Sequence, residues 1–298
     1  MSQSRYSAFL PLLAILGSVA CLGIGTSLAK RTLFPLIGAQ GTTAIRVGFA
    51  AVLLLLFWRP WRWRLTHRDT RAIIFYGLAL GAMNLCFYLA LRTIPFGIAV
   101  AIEFAGPLAI AMLASRRLQD FLWVAMAIGG LWLLLPLGHD VSKLDPVGVM
   151  YALAAAFFWA TYIVFGKRVG HLHAGLSVPL GLAVATLLVV PVGAVHAGLA
   201  LLSPWVLLIG LGVALISSAI PMMLEMVALK RLPSQAFGIM ISMEPAVAAL
   251  LALILLDEHL TALQWLAIAM IMSASMGCAY SAHQQRRKTV PEAGLSAP

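Results

Sequence analysis

Two glutamates lie inside apolar stretches of the sequence, where a charged side chain is costly. Glu103 occurs in GIAVAIEFAGPLAIAML and Glu244 in FGIMISMEPAVAALLALILL. A charge at the centre of a lipid bilayer costs about 2.5–3.5 kcal/mol even on the more lenient insertion scales. Residues of this kind usually face an internal cavity and act on ions, protons or substrates. Both glutamates are therefore candidates for a polar site inside a membrane.

A buried carboxyl group suits two kinds of chemistry. Low dielectric disfavours its charged form, so the group can bind and release protons near physiological pH. When ionised, the same group can bind an ammonium group, and proton and substrate then compete for one position. Arg46 also lies within an apolar stretch, and its planar guanidinium suits a substrate carboxylate or Glu103 itself. A structural ion pair between Glu103 and Arg46 is the alternative interpretation.

Three further side chains complete the predicted substrate and proton pathway. Asn84 offers an amide to a substrate hydroxyl, and Trp159 and Tyr162 belong to an aromatic band on one helix. Polar and aromatic side chains also join membrane helices, so packing is the alternative role for all three. Glu225 lies near the end of an apolar stretch, where its carboxylate can reach the membrane interface. For this residue, the sequence favours an interfacial role over a transport role.

Each intramembrane glutamate is close to a proline. Pro107 follows Glu103 by one helical turn, and Pro245 follows Glu244 directly. Proline has no backbone N–H and can kink a helix, which frees carbonyl oxygens that a cavity or neighbouring groups must satisfy. We expect a kink at both positions.

The composition requires a lipid environment for the elements that carry these residues. Of the 298 residues, 62% are hydrophobic and only 10% are charged, and the mean hydropathy is +0.99. A water-soluble core cannot hide so much apolar surface. Segments of about 18–25 residues are long enough to cross the hydrocarbon layer as helices. The ten predicted segments are 8–28, 41–58, 72–91, 96–114, 121–138, 147–166, 175–197, 203–228, 235–256 and 261–281.

The net charge of +10 reflects topology, and it predicts a lipid bilayer as partner and no nucleic acid. With the amino terminus in the cytoplasm, fifteen of the twenty lysines and arginines fall on inner loops and ends. Four fall outside: Lys30, Arg31, Arg92 and Lys143. Because inner loops carry the basic excess in membrane proteins, we expect both termini to be cytoplasmic.

The sequence predicts no cofactor and no metal site. The three cysteines lie in apolar segments without close pairing, and His171 and His173 lack the spacing of two zinc ligands on one helix face. No aspartate lies deep in a predicted helix, and the histidines are at loops, so an intramembrane enzyme is disfavoured. A channel is also disfavoured, because the chain has no motif of a selectivity filter.

The chain contains an internal repeat. A shift of 138 residues aligns ALRTIP (90–95) with ALKRLP (228–233), and Pro107 with Pro245. Each half then holds five crossings, so the second half enters the membrane upside down. We predict an all-α integral membrane protein whose ten transmembrane helices form two inverted five-helix repeats. The repeats cover residues 1–140 and 141–281, and residues 282–298 form a disordered cytoplasmic tail.

Four segments resemble the EamA family of the drug/metabolite transporter superfamily. They are SLAKRTLFPLIGAQGTTAIR (27–46), GIAVAIEFAGPLAIAMLASRR (97–117), GLWLLLPLG (130–138) and FGIMISMEPAVAAL (237–250). The resemblance implies a ten-helix inverted repeat in a bacterial inner membrane. It also implies export of small amino acids, threonine and homoserine first, driven by an ion gradient. We expect exchange for protons by alternating access, and the organisation allows a homodimer.

A transporter of another metabolite on the same fold is the main alternative. A zwitterion needs partners for both of its charges, which Arg46 and a glutamate would supply, whereas a cationic compound needs only the glutamates. The fold is therefore a firmer expectation than the substrate, because related transporters move different compounds on one fold.

Overall fold

The fold was analysed in a computed structural model that describes residues 3–63, 65–113, 118–134, 144–229 and 240–289. Within these ranges the chain is helical and contains no strand. Six helices are long and apolar enough to cross a membrane, and four shorter apolar helices accompany them. The six are Pro11–Thr32, Phe34–Trp58, His67–Ala90, Pro146–Val169, Gly175–Leu202 and Pro204–Glu225, and the four are Phe96–Ile110, Phe121–Leu134, Glu244–Leu256 and Ala262–Cys278.

The first three helices are α1 (Gln3–Thr32), α2 (Phe34–Trp58) and α3 (His67–Ala90). Helix α2 contains a break at Gly38, whose φ of 67° is a left-handed conformation that glycine adopts without steric cost. The start of α3 is fixed by a capping box, in which the side chains and backbone N–H groups of Thr66 and Asp69 bond reciprocally. The Thr66 hydroxyl also holds the pKa of the exposed Asp69 carboxyl below its usual value.

The predicted segment 96–114 forms two helices in the structure, α4 (Phe96–Glu103) and α5 (Ala105–Leu113). The break lies at Phe104, directly after Glu103, and Pro107 is in the first turn of α5. A proline is tolerated there because the first N–H groups of a helix have no partner within it. Helix α6 (Leu118–Leu134) completes the first half of the described chain.

The second half begins with α7 (Pro146–Val169), whose first turn is capped by the Asp145 carboxylate, and α8 (Ala174–Ala197). Helices α9 (Pro204–Ala214) and α10 (Ile220–Leu229) are joined by a wider π-helical turn, Leu215–Ala219. The last two helices are α11 (Glu244–Leu256) and α12 (Ala262–Thr289). A two-residue turn at Ser242 and Met243 precedes α11, so helix breaks occur beside both intramembrane glutamates, where kinks were predicted.

Each predicted segment overlaps a helix, but several boundaries differ. Helix α2 begins seven residues before the predicted position 41, and 203–228 is interrupted by the π turn. Helix α12 continues to Thr289, so the first part of the predicted disordered tail, 282–289, is helical, a correction to that prediction. Residues 135–138, 235–239 and 290–298 lie outside the described ranges.

The core lies between the two halves. Helix α2 packs against α8, α3 against α7 and α8, α6 against α12, and α1 against α10 and α11. The largest cluster of buried apolar residues joins α4 to α11 and α12, with Ile98, Ile102 and Ile268 at most 1% exposed. Helices α4 and α11 approach closely, because a Cβ added at Gly97 would lie 2.5 Å from the Cβ of Ala249. This packing brings the two helix breaks to one region of the molecule.

Candidate functional site

A cavity of about 400 Å³ lies between the two halves. It is lined from both halves by α1–α4, α7, α8, α10, α11 and the π turn, as expected for a site between structural repeats. All six residues that the sequence predicts for the pathway line this cavity: Arg46, Asn84, Glu103, Trp159, Tyr162 and Glu244. The structure therefore brings together side chains that are up to 198 positions apart in the sequence.

Arg46 is the cationic group of the cavity, and its guanidinium is held on several sides. Its Nη2 donates a hydrogen bond to Asn84 Oδ1, and its Nη1 donates to Ser218 Oγ at 3.4 Å. The guanidinium carbon lies 4.8 Å from the centroid of the Tyr88 ring, in a cation–π contact. Asn84 is itself fixed, because its Nδ2 donates to the Leu80 carbonyl oxygen at 2.8 Å. The arginine thus keeps one position and orientation.

The partners of Arg46 are neutral. Among the described residues, Arg46 forms no ion pair with Glu103 or with another carboxylate. Two of its five N–H groups are used by Asn84 and Ser218, and Nε has no hydrogen-bond partner. The charge of Arg46, which is only 6% exposed, therefore has no ion-pair partner among the described residues.

Glu103 is the last residue of α4 and is 7% exposed. Pro107 lacks the N–H that would otherwise bond to the carbonyl oxygen of Glu103 in a continuous helix. Within the described part of the chain, no group donates a hydrogen bond to its carboxylate. Glu103 lies within electrostatic range of both Arg46 and Glu244. Its carboxylate is thus buried, free of hydrogen bonds from these residues, and directed at the cavity.

Glu244 has a matching position in the second half. It is the first residue of α11, and Pro245 removes the N–H that would bond to the Ile241 carbonyl oxygen. Ile241 also lines the cavity, and it is the residue that the 138-residue shift aligns with Glu103. The described residues donate no hydrogen bond to the Glu244 carboxylate either. Both prolines therefore free a carbonyl group at corresponding places beside the cavity.

Glu225 also lines the cavity, whereas the sequence favoured the membrane interface for it. Its Oε1 accepts a hydrogen bond from Ser18 Oγ at 2.9 Å, and Ser18 is fully buried on α1. Glu225 lies near the end of its helix, and the cavity extends to that position. The spacing of Ser218, Met222 and Glu225, all cavity residues, is four and then three residues, and this one-face pattern was the available signal.

Aromatic side chains form part of the cavity wall. The Tyr162 hydroxyl lies 3.1 Å from that of Tyr76, and their rings stack with centroids 4.7 Å apart. The Trp159 ring meets Phe104, the residue at the α4–α5 break, edge-on at 5.1 Å. Tyr88, which the sequence analysis missed, lies against Arg46. Asn84, Trp159 and Tyr162 therefore both line the cavity and join helices.

Similarity to known proteins decides the family. The EamA-like transporter family matches residues 146–279. The chain is 48% identical over 276 residues to the threonine/homoserine exporter RhtA of Salmonella typhimurium (strain SL1344), covering 93% of each chain. It is 46% identical over 286 residues to the protein of that name from Escherichia coli (strain K12), covering 96% of this chain and 97% of the relative. The chain belongs to the EamA-like transporter family.

The fold agrees with this membership. One solved crystal structure aligns with 96% of this chain and 99% of its own, with a TM-score of 0.55 and 18% sequence identity. A likeness at this identity concerns the fold alone. The six membrane-length helices and the family membership describe this EamA-like transporter as a multi-pass membrane protein.

An ion pair between the halves lies next to Phe96, a residue of the transporter's cavity wall. Lys30 Nζ, near the end of α1, lies 2.6 Å from Glu258 Oε1, in the loop between α11 and α12. Glu258 Oε2 accepts the backbone N–H of Phe96 at 2.6 Å, and Phe96 lines the cavity. This carboxylate caps the N-terminus of α4 and neutralises a lysine at once. It ties α1 and α4 of the first half to the second half.

Proposed function

We propose that this protein is a secondary active exporter of small hydrophilic amino acids, threonine and homoserine first, that exchanges them for protons. The observation that carries the proposal is a cavity between the halves with one fixed arginine and carboxylates that are free of hydrogen bonds from described residues. The relatives at 46–48% identity, which are named threonine/homoserine exporters, support this substrate. An enzymatic activity is not part of the proposal.

The cavity supplies a partner for each charge of a zwitterion. The substrate carboxylate binds to the N–H groups of Arg46 that Asn84 and Ser218 leave free, and the planar guanidinium favours bidentate bonding. The substrate ammonium binds to Glu103, which lies within electrostatic range of Arg46. Cavity hydroxyls, those of Ser217 and Ser218 among them, are available to the side-chain hydroxyl of threonine or homoserine.

Proton exchange follows from the competition at the carboxylates. A buried carboxylate is costly when it is ionised and unpaired, so it binds either a proton or the ammonium group. A proton entering from outside displaces the amino acid, and the release of that proton to the cytoplasm prepares the site for the next substrate. Alternating access would expose the cavity to each side in turn.

We further propose that ten helices cross the membrane as two inverted repeats, 1–140 and 141–281. The helix packing supports this arrangement, because the contacts recur when the halves are exchanged. The packing of α3 on α7 corresponds to that of α10 on α1, and α1 on α11 corresponds to α7 on α5. Likewise, α2 on α9 corresponds to α8 on α3. The two broken helices, α4–α5 and the α11 region, are then equivalent.

In this topology the protein lies in a bacterial inner membrane with both termini in the cytoplasm. The basic asymmetry of the loops motivates this orientation. A reporter fused after Lys288 should be active as a cytoplasmic fusion, and one inserted near Lys143 as an external fusion. A carboxy-terminal reporter that is active only outside the cell would contradict the orientation.

The substrate is tested with purified protein in lipid vesicles. Vesicles that are acidic inside should accumulate labelled threonine and homoserine from an alkaline medium, and a protonophore should abolish the accumulation. Met223→Leu, a change at an exposed position of α10, serves as the control for insertion and yield. Accumulation of neither amino acid, with the control protein correctly inserted, would contradict the proposal.

One observation favours a second candidate substrate class, cationic compounds. Three glutamates but one arginine are found among the described lining residues, so the ionised cavity carries an excess of negative charge. A substrate panel of threonine, homoserine, lysine and an amine without a carboxylate distinguishes an amino-acid exporter from an exporter of cationic compounds. Transport that requires the carboxylate of the substrate supports the amino-acid exporter.

A further inference from the structure

The described part of the cavity holds a third carboxylate, Glu225, that the exchange at Glu103 leaves without a role. Glu225 on α10 and Glu244 at the start of α11 come from adjoining parts of the second half, and both line the cavity. They lie within electrostatic range of one another. Glu225 is oriented by Ser18, whose hydroxyl donates to it at 2.9 Å and also lies 3.2 Å from the Pro221 carbonyl oxygen.

Within the described ranges, no cationic side chain forms an ion pair with Glu225 or Glu244. From α2, Arg46 is bonded to Asn84 and Ser218. From α1, Lys30 pairs with Glu258 and Arg31 donates to the Leu255 carbonyl oxygen. The other titratable groups among the described residues that line the cavity are Tyr88 of α3, Glu103 of α4 and Tyr162 of α7, and none of them is a cation. The further lysines and arginines of α1, α7 and α12 belong to the helix ends: Arg5 of α1, Lys167 and Arg168 of α7, and Arg286, Arg287 and Lys288 of α12.

We propose that Glu225 and Glu244 form a coupled carboxylate pair that carries one exchangeable proton, separate from the amino-acid site at Arg46 and Glu103. Two carboxylates in one low-dielectric cavity repel each other when both are ionised, so the pair retains a proton that neither group would hold alone at the same pH. Ser18 is a positioning residue for the pair. This inference rests on the proposed proton exchange and names the groups that perform part of it.

Separate sites for the proton and the amino acid have a consequence for transport. One proton binds to a carboxylate oxygen of the pair while the cavity is open to the acidic side, and the same proton leaves to the cytoplasm. The amino acid meanwhile binds and leaves at Arg46 and Glu103. A protein that has lost the pair should still bind amino acid and carry it across the membrane in either direction, but it should use a pH gradient less effectively, because only the proton exchanged at Glu103 remains.

Two transport assays distinguish these roles. The first is accumulation of labelled threonine driven by a pH gradient, and the second is exchange of labelled for unlabelled threonine without a gradient. We expect Glu225→Gln to lower gradient-driven accumulation severalfold, while its exchange stays close to that of Met223→Leu. Glu103→Gln should lose both activities, because it removes a group that touches the substrate.

Two further variants keep the test decisive if Glu225→Gln folds poorly. Ser18→Ala removes a hydrogen bond that favours the ionised carboxylate, so the pH dependence of accumulation should move to higher pH while exchange is retained. Glu225→Asp keeps the carboxyl group and should retain part of the accumulation.

Several results would overturn the inference. Wild-type accumulation by Glu225→Gln, or an unchanged pH profile in both Ser18→Ala and Glu225→Asp, would remove the pair from proton coupling. Loss of exchange by well-folded Glu225→Gln would make Glu225 part of the amino-acid site instead. Failure of the wild-type protein to respond to a pH gradient, with exchange intact, would contradict proton exchange in the proposed function itself.

Discussion

The arginine and the glutamates of the cavity are held in different ways. Arg46 is fixed by Asn84, Ser218 and the Tyr88 ring, all of which are neutral. Glu103 and Glu244 accept no hydrogen bond from the described residues. The positive group is therefore positioned by the protein before a ligand binds, whereas the negative groups depend on a proton or a ligand. In the proposed exchanger, the fixed arginine binds the substrate carboxylate, and the glutamates bind the ammonium group and the proton.

The helix breaks lie next to the glutamates and not next to the arginine. Glu103 ends α4 and Glu244 begins α11, and a proline follows each within one turn. Arg46, in contrast, lies within the continuous part of α2 after the Gly38 break. A helix end has backbone groups without partners within the helix. In the proposed exchange, the carboxylates that change protonation therefore lie at helix ends, whereas the arginine lies inside a helix.

The largest expected effect is that of Glu103→Gln, which removes the titrating group but keeps its shape. Loss of a charged partner in a buried site costs about 2–5 kcal/mol, so transport of threonine should become undetectable. Glu103→Asp should keep partial activity with a shifted pH profile. Vesicle uptake at matched protein amounts measures both variants.

A purely structural role for Glu103 predicts another pattern. Both Glu103→Gln and Arg46→Gln would then lower the yield of folded protein, and the double variant would recover much of it, because no unpaired buried charge would remain. Recovery of both yield and transport in the double variant would identify a structural pair, whereas well-folded double-variant protein that does not transport would support the functional role.

Arg46→Lys tests whether the geometry of the fixed guanidinium is required. Lysine keeps the charge but lacks the planar fork that bonds Asn84, Ser218 and a carboxylate together. The lost charge-assisted hydrogen bonds are worth about 1–3 kcal/mol, so the affinity for threonine should fall by about tenfold or more. The measurement is the substrate dependence of exchange. Near-normal affinity in correctly inserted protein would show that the guanidinium geometry is dispensable.

Gly97→Ala tests whether the close contact of α4 with α11 supports the carboxylates. The new Cβ would lie 2.5 Å from the Ala249 Cβ and 2.6 Å from its Cα, so a helix must shift. Overpacking of this kind costs about 1–3 kcal/mol. Gly212→Ala is the matched control, because nothing lies within 4 Å of its added Cβ. Thermal unfolding in detergent should show a lower midpoint for Gly97→Ala only, and equal midpoints would contradict the packing.

The smallest effect is expected for Glu258→Gln, at the ion pair next to Phe96. The change removes the ion pair with Lys30 but keeps an oxygen that can accept the Phe96 N–H. Since both side chains are partly exposed, the loss in unfolding free energy should be about 1 kcal/mol or less. Glu258→Ala removes both interactions and should lower the unfolding midpoint further. Identical midpoints for the two variants would show that the cap on α4 contributes nothing.

The sequence predicts the residues of the site better than their contacts. Charges are rare in apolar segments, so Glu103, Glu244 and Arg46 could be identified one by one. The partners of Arg46 could not, because they depend on how α2, α3 and the π turn pack. The sequence favours an interfacial role for Glu225, because its position indicates depth along one helix but not how far a cavity extends.

The same limit applies to the fold. Hydrophobic length predicts where helices lie, and the prolines predict the breaks near Phe104 and Met243. Neither signal predicts the left-handed Gly38 or the π turn at Leu215–Ala219, which depend on neighbouring helices. Boundaries failed where polar residues continue a helix, as in α12 after residue 281.

The most direct test of the account is accumulation of labelled threonine by vesicles containing the wild-type protein, acidic inside and alkaline outside, compared with vesicles containing Glu103→Gln. Proton exchange that depends on Glu103 predicts that the wild-type vesicles accumulate threonine above its external concentration. A protonophore should abolish this accumulation, and the variant should show none. Equal accumulation by both proteins would contradict the central role of Glu103, and wild-type uptake that is indifferent to the gradient would contradict proton exchange.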